Sequence, residues 1–256
     1  KGYVKVGPEV IKNFEDKVYN KQTVKDILEK SINTGMVHIS QLLEKSDMES
    51  FIKAFGFGTR TAIDLPGEIQ GDLSNLDDPR DIHYATASFG QGIAVTPIQL
   101  IASFSLFANG GKRITPFVVE KKVFPDGREE FHAPSAKDGE EIISFETARE
   151  MNDMLVSVIE NGTGKRARMA GYLVAGKTGT AQVPKIGGRG YGEETVHTFV
   201  GYAPASDPKF IILVKIDDPQ GVRAAEGSAV PVFKELAQYM VNYLEIPPDV
   251  PILYER

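Results

Sequence analysis

The amino-acid sequence predicts an α+β domain in which a central antiparallel sheet is covered by helices. Three observations carry that prediction. Helical periodicity recurs from Thr23 onward and returns over 231–244 at the other end. Three strand-like segments, about 172–183, 197–203 and 210–216, follow one another with no helical pattern between them. Glycine and proline punctuate the connections. Consecutive strands joined by short links pair antiparallel, and helices at both ends of such a run supply the layers that bury the sheet. A chain of 256 residues buries roughly 70–75% of its unfolded surface, which is enough for one substantial core.

In chain order, residues 1–22 alternate without a sustained period and are broken by Gly7-Pro8, so they read as loop with one short strand. Val24, Ile27 and Leu28 stand at helical spacing over 23–30. Gly35 is read as an interruption before a second helix over about 36–44, and a third covers about 48–55, ending at Gly56. The stretch 56–92 carries turn signals such as Leu65-Pro66-Gly67-Glu68 and no period of its own, the mark of a functional or covering loop. A helix over 97–108 has Pro97 in its first turn and Gly110-Gly111 past its end. Residues 113–124 read as strand, with Pro125-Asp126-Gly127-Arg128 as the turn of a hairpin.

Ser144 is the N-cap of a helix through Glu160, with Ala148, Met151, Leu155, Val158 and Ile159 on one stripe, and Asn161-Gly162 stops it. The segment 210–216 is almost continuously apolar, as in a strand buried on both faces. In the last helix Phe233, Leu236, Met240 and Tyr243 are read as the buried face.

The balance of charge and residue types excludes several functions. A net charge of −6 without a basic stripe argues against a nucleic-acid partner. The absence of cysteine rules out disulfides and thiolate metal sites. No run of about 18 apolar residues is present, and the opening residues lack the apolar core of a signal peptide. Position 1 is a lysine and is read as internal to a longer polypeptide. His38, His83, His132 and His197 show no i, i+4 pairing and no adjacent carboxylate, so neither a metal nor a cofactor is expected. The acidic run 72–81 reads as a solvated loop.

Two short motifs carry chemistry. Ser31-Ile32-Asn33 falls in the break between two helices, and Lys177-Thr178-Gly179-Thr180 lies inside a strand-like segment. Alone, Ser-x-Asn is what helix caps produce. A glycine within a strand marks a bulge, a turn or a close approach of another backbone.

Together, and in this order, the motifs resemble those of class B penicillin-binding proteins, the cell-division and elongation D,D-transpeptidases. Phe89-Gly90-Gln91-Gly92, Val95-Thr96-Pro97, Asn109-Gly110-Gly111, Gly162-Thr163-Gly164, Ala175-Gly176-Lys177-Thr178-Gly179-Thr180-Ala181-Gln182, Gly201-Tyr202-Ala203-Pro204-Ala205 and Asp218-Pro219 extend the resemblance over about 20–245. It implies a β-lactamase/transpeptidase-like fold and a serine enzyme that cross-links peptidoglycan. It also implies catalytic roles for Ser31, Asn33 and Lys177. Ser31 would be the proton relay, Asn33 the ligand of the substrate amide, and Lys177 the source of positive charge. Thr178, Gly179 and Thr180 would bind substrate: the two hydroxyls hold the terminal carboxylate, Gly179 leaves room for the substrate backbone, and the Thr180 N–H forms half of an oxyanion hole.

The implied partners are a D-Ala-D-Ala stem peptide, β-lactams, and division or elongation proteins. The implied place is the outer face of a bacterial cytoplasmic membrane, with an N-terminal anchor. The family's S-x-x-K motif, which bears the nucleophile, would stand several tens of residues before Ser31. None of the thirty residues there is a serine, so the nucleophile is expected upstream of Lys1. Residues 1–246 then form the C-terminal portion of a transpeptidase domain whose N-terminal part is incomplete. Residues 247–256 form a tail, and the piece alone is expected to be inactive, a binding module at most.

Competing readings are weaker. Ser50-Phe51-Ile52-Lys53 matches S-x-x-K by letter but stands after Ser31 on an amphipathic helix. Gly171-Tyr172-Leu173-Val174-Ala175-Gly176-Lys177-Thr178 satisfies the P-loop pattern, and Phe210 to Ile216 before Asp217-Asp218 imitates its acidic partner strand. A P-loop, however, opens a helix, and here strand-forming residues precede Lys177 while Gly179 and Pro184 follow it. The glycine-rich run 187–192 is followed by no amphipathic helix, so it is read as a mobile hairpin loop bordering the groove, not a dinucleotide site. A β-lactamase or β-lactam sensor of the same fold is the remaining alternative, with Glu68 in the interval where a general-base glutamate would stand. His197 is read as a residue lining the cleft.

Overall fold

The computed structural model describes residues 2–185, 187 and 190–251. The chain opens on a hairpin, where the sequence suggested one strand. β1 (Tyr3–Val6) and β2 (Glu9–Lys12) pair antiparallel around Gly7, whose φ of +59° suits glycine. Val6 and Ile11 turn inward against Val37 and Ala85, and this contact is what orders the hairpin.

Three helices follow, α1 (Val24–Glu29), α2 (Asn33–Ser40) and α3 (Lys45–Ala54). A capping box starts α1: the Thr23 hydroxyl accepts the Asp26 N–H, and the Asp26 carboxylate accepts the Thr23 N–H. α2 begins three residues before the expected position 36, and Gly35 lies inside it instead of breaking it. A Cβ at Gly35 would come within 2.6 Å of the Ile27 side chain. The glycine lets α1 and α2 touch.

The stretch 56–92 is not loop throughout. It contains a 3-10 turn (Ser74–Asp77) and a short helix, α4 (Asp81–Ala87), whose Tyr84, Ala85 and Ala87 are buried. Two turns without a side-chain cap leave too few periods to detect by eye. α5 (Pro97–Ala108) starts with a second capping box, Thr96 with Gln99. Gln99 is 1% exposed and its amide donates to the carbonyls of Thr59 and Gln70, so the same cap pins the glycine-rich loop.

Only the end of the expected strand 113–124 is a strand. β3 (Lys121–Val123) pairs with β4 (Glu129–Phe131), while the backbone N–H groups of Thr115, Val118 and Val119 are taken by the carboxylates of Asp138 and Asp64. α6 (Phe145–Asn161) follows, with Ser144 accepting the Thr147 N–H at 3.1 Å.

The central sheet is antiparallel, as the sequence predicts, in the order β5 (Ala175–Pro184), β6 (Tyr191–Ala203), β7 (Phe210–Asp217). Alternation along β6 serves two cores. Phe199 and Ala203 face α7 (Ala229–Tyr243), while Val200 and Tyr202 face Phe104 of α5 and Leu155 of α6. As expected, β7 packs on both faces, with Phe210, Ile212, Val214 and Ile216 against one core and Ile211 and Leu213 against the other, although only Val214 of these is fully buried. One expectation is corrected here. The buried face of α7 is Val230, Phe233, Ala237 and Val241, whereas Leu236 and Tyr243 are 45% and 69% exposed. Packing is close at this face: Phe233 fills the space over Gly201 of β6, where a Cβ would lie 3.0 Å from its ring, and the smaller Ala237 stands on the same side of the helix.

Candidate active site

The Ser31 turn follows from how α1 ends. The N–H of Ile32 donates to the Ile27 carbonyl at 3.0 Å and that of Ser31 to Leu28 at 3.3 Å, the pair of bonds of a Schellman motif. Its left-handed position is normally glycine, and here Ser31 holds it at φ +52°. A β-carbon in that conformation costs about 1–2 kcal/mol. Ile32, 3% exposed, then anchors the turn in the core, and α2 starts at Asn33.

Asn33 Nδ2 donates to the Lys12 carbonyl at 3.3 Å, and Asn13 Oδ1 accepts from both the N–H and the hydroxyl of Thr34. The first turn of α2 is therefore tied to the loop after β2.

β5 supplies the second motif. It is the other outer strand of the sheet, so the Lys177–Gln182 backbone is unpaired on one side among the described residues. Lys177 Nζ donates to Ser31 Oγ at 2.9 Å and to the Thr178 carbonyl at 3.1 Å. Two motifs 146 residues apart thus share a hydrogen bond. Burial pushes the Lys177 ammonium down to about 8, against a partly compensating field from Glu226.

Ser31, Asn33, Thr178 and Thr180 line one cavity of about 560 Å³ together with the 221–227 loop. Thr180 Oγ1 accepts the Ala225 N–H at 3.2 Å, which joins that loop to the strand. Lys17, Lys30, Arg166 and Arg223 give the wall a cationic cast, with Arg223 reaching Glu15 across the opening at 3.8 Å.

Gly179 is also crowded within the sheet. A Cβ there would sit 2.4 Å from Thr198 Oγ1 on β6, so the neighbouring strand already fills the place a side chain would take. His197 does not line the cavity. It is fully buried, with Nδ1 bonded to Ser228 Oγ at 2.8 Å and Nε2 to Thr195 Oγ1 at 3.0 Å. Its position opposite Thr180 and its bond to Ser228 make it the pin that holds the 221–228 wall to the sheet.

Desolvation lowers the His197 pKa. The unfolded chain therefore takes up that proton first, and the stability of the neutral, pinned state is lost as pH falls below about 6.5. Thermal melts from pH 7.5 to 5.5 are expected to show a steeper loss for the wild type than for His197→Gln; equal slopes would refute the pin.

The other sequence candidates lie elsewhere. Lys53 pairs with Glu49 along α3 at 2.5 Å, and neither Ser50 nor Lys53 lines this cavity. Both Glu68 carboxylate oxygens are engaged, accepting from the Thr61 N–H and hydroxyl and from the Ala62 N–H, and Glu68 also stands outside the cavity. The P-loop pattern runs into β5, which continues as strand to Pro184, so no helix follows Lys177. Residues 188 and 189 of the glycine-rich run lie outside the described residues. The run leads into β6, and Lys185 N–H donates to Gly190 O at 3.0 Å. Among the described residues no group of three His, Asp or Glu could hold a metal, and no helix is long and apolar enough to cross a membrane. Residues that carry no motif also build the cavity wall, notably Thr163, Ala225 and Glu226. The only sequence signal for them was Gly162-Thr163-Gly164, noticed as part of a resemblance.

Residues 1–238 match the description of the penicillin binding protein transpeptidase domain. The chain belongs to that family. Stage V sporulation protein D of Bacillus subtilis is 34% identical over 97% of the chain and 38% of its own length. The probable peptidoglycan D,D-transpeptidase PenA of Neisseria flavescens is 32% identical over 97% of the chain and 59% of its own length. Penicillin binding protein 3 of Mycobacterium tuberculosis, solved in complex with aztreonam, superposes with a TM-score of 0.87 at 28% identity, covering all of this chain and 59% of that one. The chain thus spans between about two fifths and three fifths of the length of these relatives. The class B resemblance and the transpeptidase-like fold both stand.

Proposed function

We propose that the chain is the substrate-binding and proton-relay portion of a serine D,D-transpeptidase. The observation that carries this reading is the Lys177 Nζ–Ser31 Oγ bond of 2.9 Å, which joins a residue of the outer strand β5 to Ser31 in the cavity lining. An extended peptide docks on such an edge by strand addition. The Thr178 and Thr180 hydroxyls, which line the cavity, bind the terminal carboxylate of a D-Ala-D-Ala stem, and Asn33 binds its amide. A serine from an S-x-x-K segment upstream attacks the penultimate carbonyl. The new ester bond forms as the D-Ala–D-Ala amide breaks, and Ser31, polarised by Lys177, relays the serine proton to the departing amine. The Thr180 N–H stabilises the oxyanion, a role worth about 3–4 kcal/mol. An amine from a neighbouring stem then resolves the ester into a cross-link.

β-Lactams acylate the same serine. The whole protein works at the outer face of the cytoplasmic membrane, held by an N-terminal anchor and serving division or elongation. The engagement of Glu68 with Thr61 and Ala62 speaks against a β-lactamase.

The test is incubation of the protein with and without its upstream segment in a fluorescent penicillin, followed by intact-mass measurement. The longer protein is expected to gain one slowly released adduct on its S-x-x-K serine, and residues 1–256 none. An adduct on any serine of 1–256, Ser50 included, or rapid nitrocefin turnover, overturns the reading.

A further inference from the structure

Thr163 belongs to neither motif, yet it is bonded to Thr178 of one and to Glu29, two residues before the other. α6 ends at Asn161, and Gly162-Thr163-Gly164 carries the chain across the C-terminal end of α1. The Thr163 N–H donates to the Glu29 carbonyl at 3.0 Å, one of the last carbonyls of a helix whose final turn needs outside donors. Glu29 lies two residues before Ser31 and is fixed by its side chain as well. Its carboxylate accepts the Ser157 hydroxyl at 2.5 Å, and Ser157 Oγ in turn accepts from Asn161 Nδ2 at 3.0 Å. At its other end, Thr163 Oγ1 meets Thr178 Oγ1 at 2.9 Å.

These bonds close a ring. Ser31 is joined through the α1 terminus to Thr163, through Thr163 to Thr178, and through Lys177 back to Ser31. Lys177 Nζ also points at Thr178 Oγ1 from 3.4 Å. The ammonium can only donate, so the Thr178 hydroxyl has its proton for Thr163 or for a ligand in the cavity. We infer that Thr163 is a positioning residue that fixes the separation between the Ser31 turn and the β5 edge and orients the Thr178 hydroxyl toward the cavity. The inference rests on the transpeptidase reading above.

The experiment uses the complete protein and resolves penicillin acylation into initial binding and the first-order acylation step. Thr163→Val keeps the shape and removes the hydroxyl; Thr163→Ser keeps the hydroxyl. With one oriented hydrogen bond lost, Thr163→Val is expected to slow the acylation step about tenfold with little change in initial binding. Thr163→Ser is expected to restore it to within about twofold. In a Thr178→Val background, Thr163→Val should add less than about twofold, because the pair acts as one unit. Acylation of Thr163→Val at the wild-type rate overturns the inference, as does full additivity in the double variant or failure of serine to rescue. A wild type that takes up no penicillin at all refutes the function itself instead.

Discussion

On the transpeptidase reading, Lys177→Met in the complete protein is expected to slow penicillin acylation by about 10²–10³-fold and, at neutral pH, to raise the melting temperature. Both effects come from one desolvated ammonium. Lys177 donates to hydroxyl and carbonyl oxygens and, among the described residues, has no carboxylate to neutralise it at contact distance; Glu226 acts on it only as a field. Burial brings its pKa to about 8, from an ordinary value of about 10.4. At 1.36 kcal/mol per unit that shift corresponds to about 3 kcal/mol, and because Lys177 keeps some exposure to solvent the charged form costs the folded state about 2 kcal/mol.

The sign follows from which state holds the proton more tightly, and here that is the unfolded state. The penalty is complete below pH 8, shrinks between there and about 10.4, and is absent above. Methionine has nearly the same length and no charge, so the variant should gain about 2 kcal/mol at pH 7, or roughly 4–8 °C, and lose that advantage by pH 10. The acylation step, deprived of the donor that polarises Ser31, should fall by about 10²–10³-fold. Calorimetry of both proteins at pH 7 and pH 10 checks the first effect. A variant that melts below the wild type at pH 7 contradicts the account. The stabilising direction is what distinguishes a charge kept for chemistry from one kept for structure.

What was legible in the sequence divides along physical lines. Helix starts were readable wherever a side chain closes the first turn: Thr23 with Asp26, Thr96 with Gln99, and Ser144. α4 carries no such cap and spans only seven residues, so it was invisible. Gly35 was misread because its reason is space instead of conformation: it stands within a helix because Ile27 is there. That fact is not local. The buried face of α7 escaped for a related reason, since hydrophobicity ranks Leu236 above Ala237 while the distance to the sheet requires the smaller one. β6 begins at Tyr191, six residues before the predicted strand start at 197, because its polar first half reads as loop.

In the sequence the site shows only as two motifs of a family pattern. No periodicity or spacing reveals that Ser31 and Lys177 touch, and the residue between them, Thr163, makes its contacts through a backbone N–H and one hydroxyl. The left-handed φ of Ser31 is visible only in the structure, where a serine at a position that favours glycine points to a use for its side chain.

Gly162→Ala should be among the most damaging single methyl additions in the molecule, and the damage should reach the site. Conformation is not the cause, since φ is −106° and ψ −149°. The obstacle is backbone: the new Cβ would lie 2.3 Å from the Glu29 carbonyl oxygen and 2.8 Å from its carbon and Cα. No rotamer relieves a clash with main chain, so α1 and the exit of α6 must part. Overpacking of this kind costs about 3 kcal/mol. As they part, the Thr163 N–H leaves Glu29 and its hydroxyl leaves Thr178, and the Ser31–Lys177 separation is no longer held. A displacement of about 1 Å at reacting groups typically costs about 10² in rate.

Gly127→Ala is the matching control. Gly127 has φ +82° but nothing within 4 Å of its added Cβ, so only the left-handed strain of about 1–2 kcal/mol applies, far from the cavity and without effect on acylation. Urea unfolding and penicillin acylation of the two variants, each made in the complete protein, decide the matter. If Gly127→Ala proves the more destabilising, or if Gly162→Ala acylates at the wild-type rate, then the α1–α6 junction does not set the geometry between Ser31 and the β5 edge.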